Sequence, residues 1–299
     1  MSSVSTSTRI QGALFAIASY VAWGLLPIYL KWLDQVTAWE ILAKRVLWSV
    51  LLLLGLLAAT RQLHVLKLPR RHWPWIVVSA GLLTVNWGTY IHAVIIDNIV
   101  EASLGYFINP FVTVLLGMVF LGERLNRWQS IAMLIASAGV VFQLISYRSV
   151  PWIALSLAFS FGLYGLIRKR MNVHAIGGLC LETLVLVPLA LACLVMLWQQ
   201  NDLRFLHTTI KIDLLLIAAG LVTSFPLLCF NAAVTRISLI SMGMFQYLAP
   251  SMTLVIAVII YSEPFGFDRW ITFACIWSAI MIFKVNAIAG VRPPTNNVV

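Results

Sequence analysis

The chain has 299 residues, 61% of them hydrophobic and 10% charged, with a mean hydropathy of +0.95 and a formal net charge of +10. A soluble domain carries about a quarter charged residues. This composition therefore excludes a soluble enzyme and points to an all-α integral membrane protein.

A helix needs roughly 20 apolar residues to cross a bilayer. Ten such runs are predicted, at about 10–30, 40–60, 74–95, 102–121, 128–146, 151–167, 176–197, 212–233, 239–261 and 270–288. The start, MSSVSTSTR, is polar, and no small-residue cleavage pattern follows the first run, so 10–30 reads as a retained helix. Tyr20 and Trp23 place aromatic surface within it.

The second span begins TAWEILAKRV. Glu40 and Lys44 have the i, i+4 spacing of an ion pair, and Arg45 lies about one and a half turns in. A charge at mid-membrane costs about 2.5–3.5 kcal/mol, so such residues are functional candidates. Arg45 is expected to counter an anionic substrate group or a carboxylate, with snorkelling to the interface as the alternative. In the third span Asn86 and Tyr90 share a face, His92 points elsewhere, and Trp87 with Tyr90 can form an aromatic wall.

The fourth span holds EASLGYFINP. Glu101 favours the N-terminus of its own helix. Tyr106, Asn109 and Thr113 fall on one face, and Pro110 frees the carbonyl of Tyr106. The fifth span carries the small residues Ala132, Ala136 and Gly139 and reads as a packing element, as does the tenth. Tyr164 lies in the sixth span. Glu182, in the seventh, is the deepest carboxylate; it is expected to neutralise Arg45 or Lys44 or to carry a coupling proton. The ninth span holds SMGMFQYLAP, with Gln246, Tyr247 and a second helix-breaking proline, Pro250. Glu123 and Glu263 close two spans at the membrane edge, where a structural bond is expected. Trp73, Trp75, Trp128, Trp152 and Trp270 sit at span ends as interfacial anchors.

The chain is written twice. A shift of 140 residues brings Pro110 onto Pro250, Thr113 onto Thr253 and Glu123 onto Glu263. A shift of 138 lays Trp23-Gly24 on Phe161-Gly162 and Lys31 on Lys169. Each half holds five spans, an odd number, so the second enters the membrane inverted. The expectation is a 5+5 inverted repeat, 1–147 and 148–299, an arrangement common among secondary transporters. The two prolines then set polar groups at one depth, as a central binding site requires.

Basic residues outside the spans crowd one side, from Arg61 through Arg71, at Arg124 and Arg127, and at Arg168-Lys169-Arg170; Lys31, Arg148, Arg204, Lys211 and Arg269 take the other. This is the positive-inside pattern, with both termini cytoplasmic, and it explains the basic charge without nucleic acid. The chain has no Walker loop for ATP, no HExxH and no GxSxG. No catalytic set, metal site or cofactor is expected, and Cys180, Cys193, Cys229 and Cys275 read as core residues.

The stretches YVAWGLLPIYLKWL at 20–33, EILAKRVLWS at 40–49, NWGTYIHAV at 86–94, EASLGYFINPFVTVLLGMVFLGERL at 101–125 and SFGLYGLIRK at 160–169 carry a resemblance that spans essentially the whole chain. The pattern resembles the EamA-type carriers of the drug/metabolite transporter superfamily and, within them, the RarD-type chloramphenicol-sensitivity permeases. One departure is Lys44, where the family pattern more often reads histidine, so a pH-sensing role does not carry over there. The resemblance implies ten helices, a central cavity, a bacterial inner-membrane location and export of amphipathic metabolites or drugs.

The reading is a secondary carrier for a small solute in the lipid bilayer, with the proton as one candidate coupling ion that the sequence alone does not fix. Its cavity is lined by Tyr20, Trp23, Asn86, Trp87, Tyr90, Tyr106, Asn109, Tyr164, Gln246 and Tyr247, with Arg45 and Glu182 for charge recognition or coupling. The alternatives are a membrane sensor or scaffold and a lipid-modifying enzyme.

Overall fold

The structure, a computed structural model, describes residues 6–96, 98–147, 150–261, 271 and 273–282. The described residues are helical throughout apart from short turns. In chain order the helices are α1 (Thr6–Lys31), α2 (Ala38–Ala59), α3 (Trp73–Ile95), α4 (Ile99–Leu121), α5 (Arg127–Tyr147), α6 (Trp152–Met171), α7 (Ala175–Gln199), α8 (Ile210–Val234), α9 (Leu239–Gln246), α10 (Leu248–Val255) and α11 (Phe273–Ile282). A π-helical turn, Ile256–Ile260, prolongs α10. The first nine expected spans fall on helix, as does the described part of the tenth, and Glu263 and Trp270 lie outside the described residues.

Six segments among the described residues are long and apolar enough to cross a membrane: α1, α2, α4, α7, α8, and α9 with α10 taken together. The other long helices fall short for visible reasons. The middle of α3 carries Asn86, Thr89, Tyr90 and His92, and α6 ends on Arg168-Lys169-Arg170. Large apolar side chains such as Leu14, Leu51, Val119, Leu134 and Ile259 are exposed, as suits helices bathed in lipid. Trp73, Trp75, Trp128 and Trp152 are exposed at or near helix ends.

The helices pack mainly on partners distant in sequence. α4 lies against α6 and α9, α2 against α7 and α8, α1 against α8 and α10, and α3 against α6 and α7. Side-chain contacts fix their directions. Tyr29 at the end of α1 donates to Leu215 O near the start of α8, while Gly12 at the start of α1 abuts Arg236 and Ile237 beyond the end of α8, so this pair is antiparallel. Glu101 meets Ile153 where α4 and α6 begin, and Arg170 meets Phe120 where they end, so these two run parallel. The ends of α2, α4, α6 and α8 therefore gather at one pole with the starts of α1, α3, α7 and α9. That pole holds most of the basic residues.

The crossing of α2 and α8 needs a glycine. A Cβ on Gly220 would stand 2.5 Å from the carbonyl carbon of Trp48, so no side chain fits between the two backbones. On the fifth span Ala132, Ala136 and Gly139 are buried, as a packing role requires.

The two prolines differ. The ninth span divides at Tyr247, three residues before Pro250, giving α9 and α10. The matching break at Pro110 is absent: α4 is a continuous helix through it. A proline removes one hydrogen bond, and α4 is braced by α6 and α9, so the helix absorbs the loss.

Candidate functional site

In the half of the bundle remote from the basic pole, Arg45 projects from α2 with its Nε donating to Thr223 Oγ1 of α8 at 2.7 Å. Its guanidinium carbon lies 5.2 Å from the centre of the Trp87 ring, a cation–π contact. Tyr29, Tyr90 and Tyr106 are its electrostatic neighbours. Tyr106 leaves 48% of its surface accessible. The helices α1, α2, α3, α4 and α8 thus bring one cation and four aromatic rings together.

Beneath these groups runs a polar thread between α4 and α9. Gln246 Nε2 donates to Thr113 Oγ1 at 3.1 Å, and Thr113 Oγ1 reaches Asn109 Oδ1 at 3.4 Å. The polar faces expected on spans four and nine do meet. Tyr20 and Gln246 are neighbours, yet the hydroxyl of Tyr20 and Oε1 of Gln246 are buried without a hydrogen bond, as is the hydroxyl of Tyr247. Each such group costs about 1–3 kcal/mol.

Several expected cavity residues are packed instead. Tyr20, Trp23, Phe161, Tyr164 and Phe230 form one aromatic cluster with centroid separations of 4.9–6.5 Å. Tyr20, Tyr164 and Tyr247 are buried in this conformation. Asn86 donates to Leu157 O and Ser160 Oγ, both at 3.0 Å, and so binds α3 to α6.

The half nearer the basic pole is sealed by a second polar cluster. Glu182 on α7 accepts from Ser79 Oγ of α3 at 2.7 Å and from the Tyr164 hydroxyl of α6 at 3.2 Å. Asn231 of α8 donates to that hydroxyl at 3.0 Å. Arg168 Nη1 lies 3.4 Å from Glu182 Oε1, with side chains 1% and 0% exposed. Three helices are joined through one carboxylate, and the Tyr164 hydroxyl adds α8 as a fourth. Neither Lys44 nor Arg45 supplies the expected counter-charge. Lys44 sits 3.7 Å above the Phe205 ring, and Arg45 is held to Thr223. Arg168, placed by its basic run at the membrane surface, instead turns inward. A Cβ on Gly178 would meet its Nη1 at 2.0 Å, so glycine makes the seat for the guanidinium.

The peripheral carboxylates bind backbone. Glu40 accepts from Arg204 N at 2.8 Å and Phe205 N at 2.9 Å, replacing the expected ion pair with Lys44. Those donors are loop amides brought over the start of α2 by the return from α7, an approach the i, i+4 rule does not see. Glu101 accepts from Ile153 N at 2.7 Å, so it caps α6 as well as standing in the first turn of α4. Glu123 accepts from Leu239 N and Ile240 N, both at 2.9 Å, and lies 3.9 Å from Lys169 Nζ; this is the structural bond expected of it. Lys169 also donates to Val234 O and Ile237 O.

Sequence reading missed Ser79, Arg168, Thr223 and Asn231. Arg168 had a signal, since it follows Tyr164 by one turn on the face that carries Glu182's other partner. Thr223 and Asn231 had none, because lone polar residues in apolar helices do not reveal their partners. Two shallow, almost wholly apolar grooves of about 330 and 340 Å³ lie apart from all these groups, along α1 and α10 and along α4, α5 and α6. Their linings suit lipid chains.

A sequence model of the EamA-like transporter family matches residues 10–145 and again 149–284. The chain is 45% identical over 282 residues to Protein RarD of Escherichia coli (strain K12), covering 93% of this chain and 95% of that one. It is 45% identical to an uncharacterized transporter of Vibrio cholerae, covering 93% of each. It is 34% identical to the chloramphenicol-sensitive protein RarD of Pseudomonas aeruginosa, covering 91% and 93%. A protein of known crystal structure superposes with a TM-score of 0.75 at 20% identity, covering 93% of this chain and 99% of that one, a likeness of fold alone. Helices that suit a bilayer, relatives named as transporters and a twice-matching family model converge: the chain is a multi-pass membrane transporter belonging to the EamA-like transporter family, of the RarD type.

Proposed function

We propose that the protein is a secondary carrier that exports small amphipathic metabolites or drugs across the bacterial inner membrane by alternating access. Its ten spans form two five-helix repeats, 1–147 and 148–299, inverted with respect to one another. Both termini face the cytoplasm on this reading. The two matches of the family model, at 10–145 and 149–284, support the repeat. So does the packing: α1 on α8 has its counterpart in α3 on α6, α2 on α8 in α3 on α7, and α1 on α10 in α4 on α6. Exchanging the repeats returns each contact to its counterpart.

One observation carries the reading. Arg45 and the half-accessible Tyr106, which we read as the wall of a substrate chamber, lie toward one pole, and toward the other Ser79, Tyr164 and Arg168 converge on Glu182 and close the path on this reading. By the positive-inside rule the closed pole is cytoplasmic, so this conformation is outward-facing. The unbonded polar atoms of Tyr20, Gln246 and Tyr247 find partners when a solute or a second conformation engages them. Glu182 is the candidate for proton coupling, because its partners come from α3 and α6, and Tyr164 links it on to Asn231 of α8, the helices that must separate for the basic pole to open.

Purified protein in liposomes tests this. Counterflow of a labelled solute without added nucleotide is the expected result. Ligand binding without flux would favour a sensor, and chemical conversion of the solute or the lipid would favour an enzyme.

A further inference from the structure

Arg45 is a cation without a counter-ion. Among the described residues the ion pairs are Arg168–Glu182 and Lys169–Glu123, and Arg45 takes part in neither. Its hydrogen bond to Thr223 uses Nε, and the two terminal nitrogens, the end of the guanidinium fork, hydrogen-bond to none of the described residues. The nearest carboxylate along its own helix, Glu40, is committed to the amides of Arg204 and Phe205. A charge deep in an apolar helix is retained where something compensates it; Thr223 and Trp87 do so in part, and no carboxylate of the described chain pairs with it.

The groups around that fork are aromatic. Trp87 lies 5.2 Å from the guanidinium carbon, and the hydroxyls of Tyr29, Tyr90 and Tyr106 stand in its field. An end-on fork matches two oxygens of one planar anion. Flat rings beside it match an apolar planar body. The site offers a single uncommitted cation, since Lys44 is stacked on Phe205. One positive charge balances a monoanion, whereas a dianionic phosphate would leave charge uncompensated.

We infer that the chamber binds planar organic monocarboxylates, with the carboxylate held end-on by Arg45 and the ring system against Trp87 and Tyr106. The inference rests on the carrier reading for the site's purpose, but its ligand class is testable without transport.

The experiment is a titration of the purified full-length protein in nanodiscs with naphthoate, its neutral isostere naphthamide and the cationic naphthylmethylamine, read by thermal shift and calorimetry. Naphthoate is expected to bind at least tenfold more tightly than either analogue. Arg45→Gln is expected to abolish that preference and Arg45→Lys to keep part of it. Equal binding of naphthoate and naphthamide to the unmodified protein would overturn the inference, and this comparison requires no variant to fold. An undiminished preference in Arg45→Gln would also overturn it. Counterflow in liposomes separates the two readings. Carboxylate-selective binding without flux would uphold the ligand class and remove the carrier. Flux of naphthamide or the amine, with naphthoate neither bound nor moved, would uphold the carrier and remove the ligand class.

Discussion

Nη1 of Arg168 and Oε1 of Glu182 stand 3.4 Å apart, with both side chains sealed from solvent, where α6 meets α7. Removing one member of a buried pair strands the other, at a cost of about 3–5 kcal/mol. Arg168→Ala should therefore destabilise the protein by that order. Arg168→Ala combined with Glu182→Ala should be less destabilised than the sum of the single changes. Unfolding in mixed micelles, analysed as a double-mutant cycle, reads the difference.

Proton coupling through Glu182 makes a separate prediction. Glu182→Gln keeps the shape, with its amide oxygen accepting from Ser79 and its NH2 turned to the Tyr164 hydroxyl, but it carries no titrating proton and leaves Arg168 without its counter-charge. Uptake or efflux driven by a pH gradient should vanish, while exchange of solute at equal pH persists. Retained pH-driven flux would remove Glu182 from the coupling step.

On the chamber side, Tyr106→Ala and Asn109→Ala should each slow solute exchange by about tenfold, the worth of one lost hydrogen bond at the upper end of its range. Membrane insertion and monodispersity should be unchanged, because Tyr106 is half accessible and Asn109 has a weak 3.4 Å contact with Thr113. Normal exchange in both variants would displace the substrate path from α4.

Glu123 predicts a structural effect. It holds the first amides of α9 and approaches Lys169. Glu123→Ala should cost about 1–2 kcal/mol, the magnitude of a lost helix cap. Hydrogen exchange should locate the loosening at Leu239 and Ile240.

Orientation can be checked with single cysteines in a background lacking the native four. Trp128→Cys, beside the basic pole, should react with impermeant reagents only from the cytoplasmic side, and Trp152→Cys only from the outside. Labelling of both from one side would contradict the packing of α4 on α6.

The fold was legible because its signals are local. Apolar runs of helical length are read from a few neighbouring residues, and the described helices fall where those runs lie, whereas the break expected at Pro110 is absent. The meeting of Asn109, Thr113 and Gln246 was legible too, since the repeat placed matching polar faces at one depth. What stayed hidden was partnership. Glu182 was recognisable as a deep carboxylate, but its partner Arg168 sits in a basic run that reads as surface, and only the turn of α6 onto Gly178 brings it inward. Likewise Glu40 looked paired to Lys44 along one helix, yet the loop at Arg204 and Phe205 comes from another part of the chain and takes both oxygens. Single helices reveal faces, and contacts between distant helices are set by the whole bundle.

The preference of each early helix for a late partner has a consequence for synthesis. α1 and α2 find their main neighbours in α7, α8 and α10, and α3 and α4 find theirs in α6, α7 and α9. As the ribosome delivers the chain, the first four helices enter the lipid before those neighbours exist. They must wait there as separate rods, and the molecule can assemble only when translation is nearly finished.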